Sequence, residues 1–307
     1  MEKILVTGGA GFIGSNITNQ LIDRGYGVLV YDNLSRGFKK LINPNAKLLI
    51  GSLNEREKLR KALCDIDVVI HTAGFAIVPE SVDKPDLYYE NNVTGSKILL
   101  EEMINGKVNK IVFSSSACVY GNPDKLPLTE ESPIKATNPY GQTKIEIERL
   151  IQKYNREEGL EGVILRYFNP YGPNEIHDPE THVVPNFVRA ALLKKPIPLY
   201  WKGEQIRDFI YVEDLASAHI DTLNIRGLNI FNVGTGHGVK VIDLIQKIFE
   251  IVGYEVPIKD LGERNGDVPS LYTSAEKIKR EVGWEAKTNL DEGLSKTINW
   301  FKNYLKT

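Results

Sequence analysis

At 307 residues with 42 % hydrophobic side chains, the chain is long enough for one large or two modest domains and needs no covalent staples to close a core. Lysine and arginine number 38 against 40 aspartate and glutamate, and the net charge of −2 excludes a global field for nucleic acid or an anionic membrane, so an anionic ligand must be held locally. Two cysteines, Cys64 and Cys118, exclude a disulfide framework and show no metal-ligand spacing; both are expected as small buried residues, and no metal site is expected. No apolar run is long enough to span a bilayer, and the chain opens on a strand without a charged-then-apolar leader, so a soluble, cytoplasmic protein is expected.

The apolar run Ile4-Leu5-Val6 leads into Thr7-Gly8-Gly9-Ala10-Gly11-Phe12-Ile13-Gly14 and then an amphipathic segment carrying Ile17, Leu21 and Ile22. That pattern is strand, glycine turn, helix. Glycines at this spacing give a tight turn, let the backbone approach a pyrophosphate and set the helix close to the strand, with the anion at the helix N-terminus. A second apolar strand, Val28-Leu29-Val30-Tyr31, ends in Asp32, where a carboxylate accepts the ribose hydroxyls of an adenosine and repels a 2′-phosphate. NAD is thereby favoured over NADP, although Arg36 and Lys39, close behind, are of the type that serves a 2′-phosphate.

Residues 47–51 read as a third strand, 55–63 as a helix and 67–71 as a fourth strand, ending in the small residues Thr72-Ala73-Gly74 that suit contact with a cofactor. His71, at that strand end, reads as structural. A long helix is expected over 86–104; its Asn91-Asn92 pair has modest helix propensity and points to a side chain wanted for hydrogen bonding. The fifth strand, Lys110 to Phe113, runs into Ser114-Ser115-Ser116-Ala117-Cys118-Val119-Tyr120-Gly121, hydroxyls at the sheet edge where open parallel sheets bind ligands. After a proline-punctuated loop, Asn138-Pro139-Tyr140-Gly141-Gln142-Thr143-Lys144 opens a helix that places Tyr140 and Lys144 one turn apart on one face.

A sixth strand over 162–168 ends in Asn169-Pro170-Tyr171-Gly172, and there the regular rhythm breaks. A stretch rich in Pro, Asp and His precedes a helix over 186–193 and short strands near 197–200 and 208–212. Helices follow over 212–223, 239–252, 274–282 and 290–304, with a strand at 229–233. The expectation is an α/β protein: a Rossmann-type doubly wound parallel sheet over 1–170 that binds NAD, and over 171–307 a smaller interwoven α/β lobe, predominantly substrate-binding, some of whose segments return to the sheet.

With a nicotinamide along the carboxyl edge, Ser116, Tyr140 and Lys144 form a set able to oxidise an alcohol. Tyrosine, with a reference pKa of about 10, is a poor base. A lysine one turn away and a positive nicotinamide favour its phenolate, and Ser116 can hold the same hydroxyl and relay its proton.

These residues resemble the extended short-chain dehydrogenase/reductase family, and within it the nucleotide-sugar epimerases and dehydratases. The likeness covers essentially the whole chain. It rests on Thr7 to Gly14, Asp32-Asn33-Leu34, His71 to Gly74, Asn91-Asn92-Val93, Ser114 to Gly121, Asn138 to Lys144 and Arg166 to Pro170. Further on come Val184-Pro185-Asn186, Arg207 to Ala216, Asn232 to Gly236 and Arg264 to Asp267. The resemblance implies a tightly held NAD, reduced and reoxidised within one cycle, and 4-epimerisation of a UDP-hexose through a transient 4-keto sugar. It implies Ser116, Tyr140 and Lys144 as catalytic residues. Gly8, Gly11, Phe12, Ile13, Gly14, Asp32, Asn33, Ser52, Leu53, Ala73, Asn91, Ser114, Tyr140, Lys144 and Tyr167 would contact the cofactor. Ser116, Tyr140, Asn169, Asn186, Arg207, Arg264, Asp267 and Leu271 would contact the UDP-sugar. A homodimer through the helices at 86–104 and 138–159 is implied as well.

Departures from the family pattern narrow the reading. Ala117 and Cys118 stand where 4,6-dehydratases carry an Asp-Glu pair, and neither supplies the acid and base that loss of water needs. Ser52 replaces an acid near the adenine, and Ala76 replaces a lysine near the cofactor. Leu271 falls where epimerases restricted to plain hexoses carry a tyrosine, which leaves room for an N-acetyl group; a loop shifted by one residue would put Tyr272 there instead. Epimerisation of UDP-glucuronate or of another nucleotide sugar, and non-catalytic sensing of NAD, are the alternatives.

Overall fold

Ile4 and Val6 turn to one face of the opening strand and Leu5 to the other, and all three are fully buried. A strand apolar on both faces belongs inside a parallel sheet covered by helices on both sides. The computed structural model describes residues 2–177, 180, 182–263 and 268–306 and builds that sheet from β1 (Lys3–Thr7), β2 (Gly27–Asp32), β3 (Lys47–Ile50), β4 (Val68–His71), β5 (Lys110–Ser116) and β6 (Glu161–Tyr167). The strand Leu228–Val233 completes it. The order is Leu228–Val233, β6, β5, β4, β1, β2, β3, every pairing parallel. The chain leaves β1 toward β2 and β3, then returns on its other side with β4, so the ligand crevice lies outside the carboxyl ends of β1 and β4.

Helices α1 (Phe12–Asp23) and α2 (Arg56–Ala62) make the first crossovers. Between β4 and β5 the chain forms α3 (Val78–Asp83), α4 (Pro85–Tyr88), a π-helical turn over Tyr89–Thr94 and α5 (Gly95–Asn105). The helix expected over 86–104 is thus a composite, with Asn91 and Asn92 in its π turn. Helix α6 (Pro139–Glu158) connects β5 to β6. Then come α7 (Val183–Leu192), α8 (Val212–Asp221), α9 (Val241–Val252), α10 (Glu276–Val282) and α11 (Leu290–Tyr304). The helix expected from 239 begins at Val241, because Val239–Lys240 pair as a strand with Ile206–Arg207.

Three apolar clusters hold these layers. Ile17 and Leu21 of α1, Leu215 and Ala218 of α8 and Ile278 of α10 cover the face of Ile4, Val6 and Val30. Leu59 of α2, Leu99 and Met103 of α5 and Ile147 and Ile151 of α6 cover the face of Leu5, Val69, Ile111 and Phe113. A separate core joins α7, α9 and α11 through Phe187, Val188, Leu244, Ile248, Leu294 and Ile298. Burying each such side chain contributes about 1.5–3 kcal/mol. Cys64 is not part of any core: it is exposed, in the turn that ends α2, where Asp65 takes a positive φ of 59°. Cys118 is half-buried.

Candidate active site

The glycine turn is shaped for close approach. Gly8 has φ +74° and a Cβ there would meet the Ala73 amide nitrogen at 2.7 Å; a Cβ on Gly14 would lie 2.3 Å from the Gly8 carbonyl oxygen. Gly11 caps α1 with no side-chain bond, so the first-turn amides and the positive end of the helix dipole face the crevice. Asp32, at the end of β2, accepts from the Ala10 amide at 3.0 Å and the Leu34 amide at 2.8 Å. Burial raises its pKa and these two bonds oppose the rise. An uncapped helix end over a glycine cradle, with a carboxylate beside it, fits a dinucleotide's pyrophosphate and adenosine ribose. Arg36 is committed elsewhere: it pairs with Glu80 at 2.7 Å and stacks 4.1 Å from the Phe75 ring centre.

One cavity of about 850 Å³ runs along the carboxyl edge. On the dinucleotide side Gly8, Gly11, Phe12, Ile13, Gly14, Asp32, Asn33, Ser52, Leu53, Ala73 and Asn91 line it, with Ala76. Ser52 accepts the Tyr31 hydroxyl through its carbonyl at 2.8 Å. Of the asparagine pair, Asn92 is the hydrogen-bonding residue: it bonds both backbone groups of Phe75, at 2.8 and 3.0 Å, and donates to Thr143 at 3.2 Å. It ties the β4 loop to α6, while Asn91 faces the cavity and donates to Asn92 at 2.9 Å. His71 is structural, bonded to Thr7 at 2.7 Å and Ser96 at 2.8 Å, and burial lowers its pKa to about 3.

Alternation along β5 turns Ser115 to one face and Ser114 and Ser116 to the other, and the three hydroxyls end in three places. Ser114 lies off the cavity lining, fully buried, its hydroxyl 2.8 Å from His219. Ser115 donates to Glu148 at 2.5 Å on the opposite face. Ser116, at the strand end, lines the cavity. Asn138 caps α6 by accepting from the Gly141 amide at 2.8 Å, with Pro139 in the first turn, and this start sets Tyr140 beside Ser116. Burial pushes the Tyr140 phenol well above its usual value, and a hydrogen bond with Ser116 works the other way. Lys144 donates to the Ser114 carbonyl at 2.7 Å and lies 5.7 Å from the Tyr140 ring centre. Burial brings Lys144 down to about 8, opposed by the charge of Glu148 one turn on. Tyr167 also lines the cavity.

On the other lobe Asn169, Asn186, Arg207 and Leu271 line the same cavity. Ser270–Leu271 pairs in parallel with Ile206–Arg207, setting Leu271 opposite Arg207. That register gives the cavity position to Leu271, while the Tyr272 ring lies against Gly238. The carboxylate of Asp208 is taken up by Thr235, Gly236 and Thr273. Arg264 and Asp267 lie outside the described residues. Three cavity residues escape a reading of the sequence: Glu175, His177 and His182. Burial raises Glu175 to about 7 and lowers His177 to about 3, and the bond to Glu175 raises His182 against its own burial.

Residues 4–234 match the model of the NAD dependent epimerase/dehydratase family. The chain belongs to that family. It is similar to the UDP-glucose 4-epimerase of Lactobacillus helveticus, at 37 % identity over 99 % of this chain and 98 % of that protein. Its structure is similar to that of the Thermotoga maritima UDP-glucose 4-epimerase with UDP-glucose, with TM-score 0.95, 37 % identity and 99 % of each chain covered. It is also similar to the Methanobrevibacter ruminantium UDP-N-acetylglucosamine 4-epimerase in complex with UDP-N-acetylmuramic acid, with TM-score 0.93, 33 % identity and 99 % of each chain covered. Of the residues that depart from the family pattern, Cys118 and Leu271 line the cavity and Ala117 is buried beside it.

Proposed function

We propose that the chain catalyses NAD-dependent 4-epimerisation of a UDP-hexose, interconverting UDP-glucose and UDP-galactose and accepting UDP-GlcNAc and UDP-GalNAc. The convergence of Ser116, Tyr140 and Lys144 on one cavity edge carries this reading. NAD, when bound, supplies the hydride acceptor for the sugar C4 and a positive ring beside Tyr140. Tyr140 takes the proton of the 4-hydroxyl, with Ser116 holding that oxygen, and restores it on the return, so there is no net oxidation. Burial alone keeps the phenol protonated; Lys144, which keeps its own proton up to a pH of about 8, favours the phenolate. Asn169, Asn186 and Arg207, with Arg264 and Asp267 by family pattern, would grip the nucleotide diphosphate while the 4-keto sugar turns to present its other face.

In this reading the glycine turn and Asp32 bind the dinucleotide, residues 1–170 form the NAD domain and 171–307 form most of the substrate lobe. Leu87 and Tyr89, exposed on the composite helix, support a homodimer through that helix and α6, to be checked by gel filtration. No described helix is long and apolar enough to cross a membrane, in keeping with a cytoplasmic enzyme. The activity is tested by proton NMR of purified protein, without added NAD, given UDP-glucose, UDP-GlcNAc or UDP-glucuronate. The 4-epimers of the first two should appear. Conversion of UDP-glucuronate alone would move the assignment to uronates, and no conversion even with NAD supplied would refute it.

A further inference from the structure

We propose that Glu175, His177 and His182 form a binding site for a divalent transition-metal ion of the Zn²⁺ class on the wall of the active-site cavity. The three are brought together between the strand Asn169–Tyr171 and the start of α7, where His182 is the N-cap residue. One ligand atom from each lies within 4.8 Å of the other two. Nδ1 of His182 is 2.9 Å from Oε1 of Glu175, and the two imidazole rings are 4.1 Å apart between centres.

Two atoms of this cluster are left over by the protein's own hydrogen bonds. Glu175 Oε2 and His177 Nε2 are buried and have no hydrogen-bond partner among the described residues. A buried polar atom without a partner costs about 1–3 kcal/mol, so two of them in one cluster call for a ligand that takes lone pairs. A metal ion satisfies both at once. Two imidazole nitrogens and one carboxylate oxygen suit Zn²⁺, Co²⁺ or Ni²⁺ and disfavour Mg²⁺ and Ca²⁺, which prefer all-oxygen shells. Tetrahedral ligation at 2.0–2.1 Å sets donors ~3.4 Å apart, so these atoms, within 4.8 Å of one another, have to draw together by little more than an ångström to hold an ion.

Described residues on either side of the cluster are anchored by hydrogen bonds. Asn16 of α1 donates to the Pro173 carbonyl at 3.1 Å, Asn174 donates to the Ser15 hydroxyl at 3.3 Å, and the His182 amide donates to Glu180 at 3.1 Å. Three protein ligands leave a fourth position, and since Glu175, His177 and His182 all line the cavity, that position is open to water or to an oxygen of a bound anion. The test of this site reads bound metal rather than turnover, so it does not depend on the proposed activity.

Chelator-treated protein is dialysed to equilibrium against buffered free Zn²⁺ and its metal measured. One zinc per chain is expected, with occupancy falling at least tenfold at the same free zinc in His177→Ala and His182→Ala. The conservative pair His177→Asn and His182→Asn, checked by circular dichroism, serves where an alanine variant fails to fold. Co²⁺ in the wild type should give visible d–d absorption that these variants lose. Wild-type protein that retains no zinc, or variants that retain it at the same stoichiometry, would overturn the site.

Discussion

Lys144 donates from Nζ to the backbone carbonyl of Ser114 at 2.7 Å, and this bond fixes the amine of α6 to the end of β5. The sheet edge thereby sets the position of the charge that faces Tyr140. Burial works against that charge and Glu148 works for it, with the balance at about 8. The lysine is therefore charged at neutral pH but close to losing its proton, which suits the phenolate-stabilising role proposed for it.

The first prediction concerns the proposed proton acceptor. Tyr140→Phe keeps the buried ring and removes the hydroxyl, so turnover of UDP-glucose should fall by about 10²–10⁴-fold with the thermal midpoint little changed. Bound NAD, released by denaturation and counted, should stay near the wild-type amount. Turnover within tenfold of wild type would refute Tyr140 as the base.

What can be read in the chain and what cannot divides along local and non-local structure. The step from β1 through Gly8 and Gly14 into α1 is legible because the glycines, the apolar run and the amphipathic helix are consecutive. So are Tyr140 and Lys144, whose spacing is a helical turn. The serine run reads as three hydroxyls at one edge, yet only Ser116 reaches the cavity: alternation turns Ser115 to Glu148 on the other face, and Ser114, one pleat further into the sheet than Ser116, meets His219. The Asn91-Asn92 pair is visibly odd in a helix, but its π turn is set by bonds to Phe75 and Thr143 far along the chain. Glu148 lies one turn after Lys144, and its burial comes from distant chain: β5 and β6 bring Ser115 and Arg166 against it.

That buried pair gives the second prediction. Arg166 meets Glu148 at 2.6 Å with both side chains almost wholly enclosed, at 1 % and 2 % exposure. Arg166→Met leaves the Glu148 carboxylate in the core without its cation and should cost about 3–5 kcal/mol, read as a lower urea midpoint. Replacing both residues by Met removes the stranded charge, so the double variant should be more stable than Arg166→Met alone. A loss below about 1 kcal/mol in the single variant would show that the pair contributes little.

Acid stability supplies the third. His219 donates from Nδ1 to the Leu215 carbonyl at 2.8 Å and takes the Ser114 hydroxyl at Nε2, which holds the ring neutral, and burial lowers its pKa from 6.5 to about 4. In the unfolded chain the same ring binds a proton below about 6.5, so the unfolded state holds more protons between these values. The stabilisation from the neutral ring is complete above about pH 6.5 and is lost as pH falls toward the folded value. His219→Gln lacks this term. Urea titrations at several pH values should therefore show the advantage of wild type over His219→Gln shrinking on acidification, by at most about 1.4 kcal/mol per pH unit. An advantage constant from pH 7 to 4.5 would place the titration elsewhere.

The fourth prediction tests the proposed sugar end of the cavity. Leu271 is 9 % exposed, packs with Ala117, Phe168 and Val268, and sits in register with Arg207 on the cavity wall. An isobutyl group there leaves space that a phenol ring would fill, so Leu271→Tyr should bar an N-acetyl group at the sugar 2-position while admitting a hydroxyl. A pocket that loses room for a few heavy atoms discriminates by about 1–3 kcal/mol, so kcat/KM for UDP-GlcNAc should drop about 10–200-fold. UDP-glucose should keep its value within a few-fold. Anomeric proton signals followed for each substrate separately give both numbers. An equal drop for the two sugars would mean that the tyrosine disturbs the fold of the wall, and no drop for UDP-GlcNAc would mean that the 2-substituent points away from Leu271.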